Sequence, residues 1–201
     1  MEPFNSHDSS VTVEIAPGPA DTYDVTFRAT DVPGTLAAFA GTLTVNGLDI
    51  VSAVIGRSNE GTLTDSFGVV PRAGRTLNEQ DAAVLARCAV DVLSGSRDIE
   101  RELREIRATF VAGEGIETKV EVNTQSEMST GVDISCPDRP GLLYDMASAL
   151  VTHRAQTRAI SVLGFNRKAR VSFRLVNQEG KPFHPGDLDA LRIDLMTCCS
   201  R

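Results

Sequence analysis

An apolar alternation, then Asp-x-Pro-Gly, then apolar residues at helical spacing: this succession occurs twice in the chain. Val25-Thr26-Phe27-Arg28-Ala29 leads into Asp31-Val32-Pro33-Gly34-Thr35-Leu36, and Val132-Asp133-Ile134-Ser135-Cys136 leads into Asp138-Arg139-Pro140-Gly141-Leu142-Leu143. The same interval of 107 positions separates Asp31 from Asp138 and Gly34 from Gly141. A unit that recurs in this order is a supersecondary module, so the 201 residues are expected to form two small domains of one kind.

Periodicity fills in each copy. Residues 1–20 are polar and proline-containing and read as a lead segment with a strand at Val11–Ile15. Tyr23–Ala29 alternates as a strand, and Leu36, Phe39, Ala40 and Leu43 then recur at helical spacing up to Asn46-Gly47, where glycine suits a helix exit. Leu48–Gly56 and Leu63–Val70 read as strands joined by a turn at Ser58-Asn59-Glu60-Gly61, and Asn78–Leu93 as a helix with Ala82, Leu85, Ala89 and Val92 on one face. A charged connector helix near 97–107, capped by Ser96 or Asp98, carries Ile99, Leu103 and Ile106 on one stripe and is expected to pack them on its own domain, with Glu100 and Arg104 paired. Ile116–Val122 alternates and is expected to complete the first domain as its fourth strand. The second copy gives strand Gly131–Cys136, a helix from about Pro140 to Val151, strands Thr157–Leu163 and Arg170–Val176 around a turn at Asn166-Arg167-Lys168, and a last helix Asp187–Met196. Nothing remains after it for a fourth strand, so that edge is either bare or covered, with Val11–Ile15 as one candidate cover. The expected domains are 21–124 and 125–201, after the lead segment 1–20.

Composition narrows the function. A net charge of −7 and a pI near 5.0 argue against a phosphate-binding face, and the absence of Trp argues against base stacking. No apolar run is long enough to span a bilayer, and the first residues lack the basic and apolar regions of a signal peptide, so a cytoplasmic protein is expected. Cys88 and Cys136 lie in apolar patterns and read as core, while the adjacent Cys198-Cys199 reads as a frayed end. His7, His153 and His184 are scattered, so no metal site and no cofactor are expected. No nucleophile–base pair or phosphate loop can be assembled either, and no catalytic residue is assigned.

A β-α-β-β-α-β unit of this size is a ferredoxin-like α+β sandwich, an antiparallel sheet with helices on one face. The aromatic strand of RNA-recognition modules and the cysteine pair of heavy-metal modules are both missing from it. Asp138-Arg139-Pro140-Gly141-Leu142-Leu143 closely resembles the first loop of ACT domains, and Asn46-Gly47-Leu48-Asp49-Ile50 resembles their helix exit into the second strand. From Tyr23 to Met196 the arrangement is similar to the C-terminal tandem ACT region of the bifunctional uridylyltransferase/uridylyl-removing enzyme of nitrogen control. That enzyme's nucleotidyltransferase and metal-dependent hydrolase motifs have no counterpart here. The resemblance therefore implies the sensory half standing alone, with Met1 favouring a natural stand-alone protein.

What the resemblance implies for a ligand agrees with the chemistry of the residues. A helix N-terminus after Asp-x-Pro-Gly offers unpaired N–H groups and a positive dipole end to an amino-acid carboxylate. Asp31 and Asp138 either meet the ammonium group or only cap their helices. Gly34 and Gly141 are read as places where a ligand or facing strand approaches the backbone closely. The candidate ligand residues are Asp31, Gly34, Thr35, Asn46, Gly47 and Leu48 in the first copy, and Asp138, Arg139, Gly141 and Leu142 in the second. The copies differ: 107 positions after Asn46-Gly47-Leu48 stand His153-Arg154-Ala155. His153 reads as an exposed helix-end histidine, with a ligand contact as the alternative. Copy two has the better loop and copy one the better exit, so a composite site from loop 138–142 and segment 46–50 is expected, unless binding has been lost. The expected function is a non-catalytic sensor of a small amino acid, glutamine first, read by a protein partner. The alternative is a ligand-free ACT module for dimerisation or protein interaction, with pairing within the chain or in a homodimer.

Overall fold

Strand pairing divides the molecule into two sheets of the same build. The computed structural model describes residues 10–57, 61–110, 115–124, 126, 128–165 and 167–200. Along the chain run β1 (Thr12–Pro17), β2 (Tyr23–Thr30), α1 (Thr35–Val45), β3 (Leu48–Arg57), β4 (Thr62–Pro71), α2 (Glu79–Leu93) and α3 (Ile99–Ala108). There follow β5 (Lys119–Asn123), β6 (Thr130–Pro137), α4 (Leu142–Thr152), β7 (Gln156–Phe165), β8 (Lys168–Val176) and α5 (Pro185–Cys199). The sheet orders are β1-β2-β4-β3 and β5-β6-β8-β7, every pairing antiparallel. Two antiparallel four-stranded sheets with helices make an α+β protein whose element order fits two ferredoxin-like ACT domains.

The edge strands correct the sequence reading twice. The strand expected near 116–122 does not close the first sheet; Lys119–Asn123 pairs with β6, Val120 opposite Ile134. The lead-segment strand does not cover the second sheet; it pairs with β2, Val13 opposite Phe27. In both repeats, then, the edge place that a βαββαβ unit gives its last strand is filled by the strand preceding the repeat. Hydrogen bonding explains why the sequence left this open. An edge strand's alternation shows which side chains face the core, and nothing in it names the neighbour whose N–H and C=O groups it meets.

Alternation sets the core. Val25, Phe27 and Ala29 of β2 are buried while Arg28 between them is exposed. Phe27 stacks on Phe39 of α1 at 4.4 Å between ring centres and meets Phe67 of β4 edge-on at 5.9 Å. Leu36, expected with Phe39 in this core, is only half-buried. In the second domain Phe173, Met146, Leu150 and Leu191 occupy the core. Cys88 and Cys136 are buried as expected. Cys198 and Cys199 are also buried, at 7% and 2% exposure, because α5 continues through them; the frayed end is not found. The turn at Ser58-Asn59-Glu60, the turn residue Asn166, and residues 1–9 with His7 lie outside the described residues.

The two sheets meet within the chain. β3 lies alongside β7, and α1 packs against α4. Both junction strands carry a register shift at the same repeat position, between Ile50 and Ser52 and between Thr157 and Ala159. A bulge bends a strand and increases its twist, and here it sits where each domain faces the other. The connector α3 is capped by Asp98, which accepts from the Arg101 N–H at 3.1 Å, and it buries Ile99 and Leu103. It does not rest on its own domain alone. Arg107 on its last turn reaches Asp145 of α4 at 2.7 Å and the Pro140 carbonyl at 3.4 Å. The expected Glu100–Arg104 pair is replaced by Glu100 with Arg107 at 3.5 Å.

Candidate functional site

Each Asp-x-Pro-Gly loop is tied by its backbone before any side chain acts. The Asp31 N–H donates to the Gly61 carbonyl at 2.9 Å, and the Asp138 N–H donates to the Arg167 carbonyl at 2.8 Å. A turn follows, with Thr35 N–H on Val32 and Leu142 N–H on Arg139, both at 3.2 Å. The helices then begin at Thr35 and Leu142, with Gly34 and Gly141 as caps at φ +93° and +75°. The N-cap position expected for Asp31 and Asp138 belongs instead to Gly34 and Gly141, which have no side chain to cap with. Thr35 secures its own turn, its hydroxyl donating to the Val32 carbonyl at 2.7 Å.

The glycines serve the backbone first. Both sit in the left-handed region, which costs an L-residue side chain about 1–2 kcal/mol. A Cβ on Gly34 would meet nothing within 4 Å, so no facing strand of the described residues approaches that backbone, which borders open space. A Cβ on Gly141 would lie 2.8 Å from Nη2 of Arg107 and 3.1 Å from Cδ2 of Leu103, so α3 is what approaches that loop closely.

The loop of the second domain and the strand entry of the first share a cavity of about 470 Å³. Of the expected residues, Leu48, Asp138, Arg139, Gly141 and Leu142 line it. Asn46 and Gly47 do not. The Asn46 side-chain amide donates to the Thr42 carbonyl at 2.8 Å, and Gly47, at φ +73°, takes the Arg72 N–H on its carbonyl at 2.8 Å. Their part is to end α1 and aim β3. Asp49 and Ile50, inside the expected segment 46–50, line it as well, and the sequence reading missed Arg72, Phe110, Gly164 and Arg167, which border the same cavity. Arg72, Phe110 and Arg167 belong to other loops and carried no local signal.

A second, smaller cavity of about 280 Å³ lies at the related position and holds Asp31, Gly34 and Thr35. Facing them are Arg154, Gln156 and Thr157 at the exit of α4, with the buried Asp65 of β4. Arg154 occupies Gly47's place in the repeat and adopts the same left-handed turn, φ +53°. His153 lines neither cavity; its Nε2 is hydrogen-bonded to Asp194 of α5 at 2.7 Å.

Charge distinguishes the larger cavity. Asp49 receives Nε and Nη2 of Arg72 at 2.8 and 2.6 Å. Arg139, only 7% exposed, pairs with Asp145 and donates to the Cys198 carbonyl; its Nε is buried without a hydrogen-bond partner among the described residues. Asp145 is held between Arg139 and Arg107. Burial pushes the Asp138 carboxyl above the usual carboxylate range against the pull of the Arg139 N–H, and the nearby Asp49 charge adds to the rise. A carboxylate kept in this state is stabilised by any cation placed beside it. Among the described residues no group of three His, Cys, Asp or Glu could hold a metal ion, and no helix is long and apolar enough to cross a membrane.

Comparison with known proteins gives one consistent relation. The chain is 30% identical over 172 residues to the bifunctional uridylyltransferase/uridylyl-removing enzyme of Gluconobacter oxydans, covering 80% of this chain and 18% of that one. It is 28% identical over 193 residues to the enzyme of the same name in Rhodospirillum rubrum, covering 91% and 20%. For Xanthomonas oryzae pv. oryzae the figures are 26% over 179 residues, 89% and 20%. The chain therefore spans about a fifth of the length of the curated relatives it matches, consistent with the resemblance to that enzyme's C-terminal region. No family model matches. Among solved structures, the trimeric bacterial microcompartment shell protein PduB aligns over 96% of this chain and 88% of its own at a TM-score of 0.30 and 10% identity, too low to carry an argument.

Proposed function

We propose that this chain is a regulatory module without catalysis of its own, and that it binds a free amino acid in the larger cavity between its two domains. The observation that carries the reading is the juxtaposition of Asp138 and the α4 N-terminus from one domain with Leu48 and Asp49 from the other. The first-turn N–H groups and positive dipole end of α4 suit a carboxylate. Asp138, desolvated by burial with the Arg139 charge only a smaller counterweight, suits the ammonium. The relatives are enzymes, and the fifth of their length that this chain covers fits a regulatory part of them. A ligand touching both domains shifts their relative placement only by its differential affinity for the alternatives, and a partner protein reads that placement. On this reading the domains divide between α3 and β5, following sheet membership.

The test is a thermal-shift panel of the common amino acids, glutamine included as the compound the sequence resemblance put first, with calorimetry on each hit. A ligand that binds only the folded state raises the melting temperature with concentration. A selective rise that Asp138→Asn abolishes is expected. A flat panel at millimolar ligand overturns the reading and leaves the ligand-free interaction module.

A further inference from the structure

Resting on that reading, the lining of the larger cavity says which side chain the amino acid carries. Beyond the charged rim the walls are Leu48 and Ile50 of β3, Leu142 and Leu143 of α4, Val162 of β7 and Val171 of β8. Among the described residues that line it there is no Ser, Asn, Gln, His or Tyr. The one neutral polar side chain, Thr44, already donates its hydroxyl to the Ala40 carbonyl at 2.9 Å within its own helix. The smaller cavity differs in this respect, since Thr35, Gln156, Thr157 and Gln178 all border it. In the smaller cavity the apolar walls, Leu36, Ile55, Leu63, Leu150 and Val151, are thus joined by neutral polar side chains that the larger cavity lacks apart from Thr44.

We infer that the cavity formed by loop 138–142 and the entry of β3 takes an amino acid with an aliphatic side chain, of the leucine, isoleucine or valine class, in preference to glutamine. The charged rim holds the α-ammonium and α-carboxylate that all amino acids share, so discrimination falls to the side chain. An aliphatic group gains by leaving water for these walls. A carboxamide enters the same space with four hydrogen-bonding positions and no neutral side chain to receive them, and an unsatisfied buried amide is expected to weaken binding by about tenfold to a hundredfold.

The experiment is calorimetry on the full chain with leucine, isoleucine, valine and glutamine, repeated on Asp138→Asn and on Val162→Thr. The second variant keeps the volume of the side chain and places a hydroxyl in the apolar wall. Expected are aliphatic binding at least about tenfold tighter than glutamine, loss of that binding in Asp138→Asn, and a narrower gap in Val162→Thr, as the cost of the hydroxyl to an apolar partner requires. Glutamine binding as tightly as leucine, and lost with Asp138→Asn, overturns the inference while leaving the amino-acid reading intact. Binding of none of the four overturns the inference, and the amino-acid reading then stands or falls on the wider panel alone.

Discussion

Gly34 and Gly141 occupy the same place in the repeat and the same left-handed backbone, so substituting each by alanine separates backbone strain from packing. At Gly34 a Cβ meets nothing within 4 Å, and the cost is the strain of alanine at φ +93°, about 1–2 kcal/mol. At Gly141 the same strain applies, and the Cβ falls 2.8 Å from the Arg107 guanidinium and 3.1 Å from Leu103. Arg107 cannot swing away cheaply, because it is hydrogen-bonded to Asp145 and Pro140. Leu103 is fully buried. Overpacking of this kind adds about 1–3 kcal/mol, so Gly141→Ala is expected to cost about 2–5 kcal/mol in all. Urea denaturation followed by circular dichroism measures both. In a double variant with Arg107→Ala, part of the Gly141→Ala cost is expected to disappear, giving a sum smaller than the two single effects. A Gly141→Ala cost equal to or below that of Gly34→Ala would refute the packing of α3 on loop 138–142.

Three further outcomes follow from other parts of the molecule. Asp145→Ala leaves the nearly buried Arg139 without its carboxylate, and chemical denaturation is expected to show a loss of about 3–5 kcal/mol. Asp138 is protonated in the folded chain over a pH range where the unfolded chain has already released its proton. Stability therefore falls as pH rises through that window, and Asp138→Asn is expected to raise the melting temperature near pH 7 with the gain vanishing below the ordinary carboxylate range; a gain independent of pH counts against the burial argument. All four cysteines are free and buried, so a thiol reagent is expected to find none rapidly reactive in the native protein and four after unfolding.

Much of this was legible along the chain, and each unread part has a physical reason. The alternation of Val25, Phe27 and Ala29, the helical spacing of Phe39, Ala40 and Leu43, and the 107-position repeat depend only on side-chain periodicity and local turn chemistry. They were sufficient for two α+β units, for the position of both Asp-x-Pro-Gly loops, and for choosing loop 138–142 with the start of β3 as a meeting place. They misjudged Cys198-Cys199, because a short apolar end looks the same whether it frays or docks.

Tertiary structure decided what depends on partners distant in sequence. The strands at 12–17 and 119–123 carry the same kind of alternation, and only backbone hydrogen bonding assigned one to each sheet. Asp138 read equally as a helix cap or a ligand contact until the turn geometry gave the cap to Gly141 and brought α3 against it. Arg72, Phe110 and Arg167 joined the cavity from three separate loops, and the desolvation that acts on Asp138 exists only once β3 and β7 lie side by side. Periodicity is a property of neighbours along the chain. A cavity, its lining and its charge balance are properties of neighbours in space, and those are set only when the two domains close on each other.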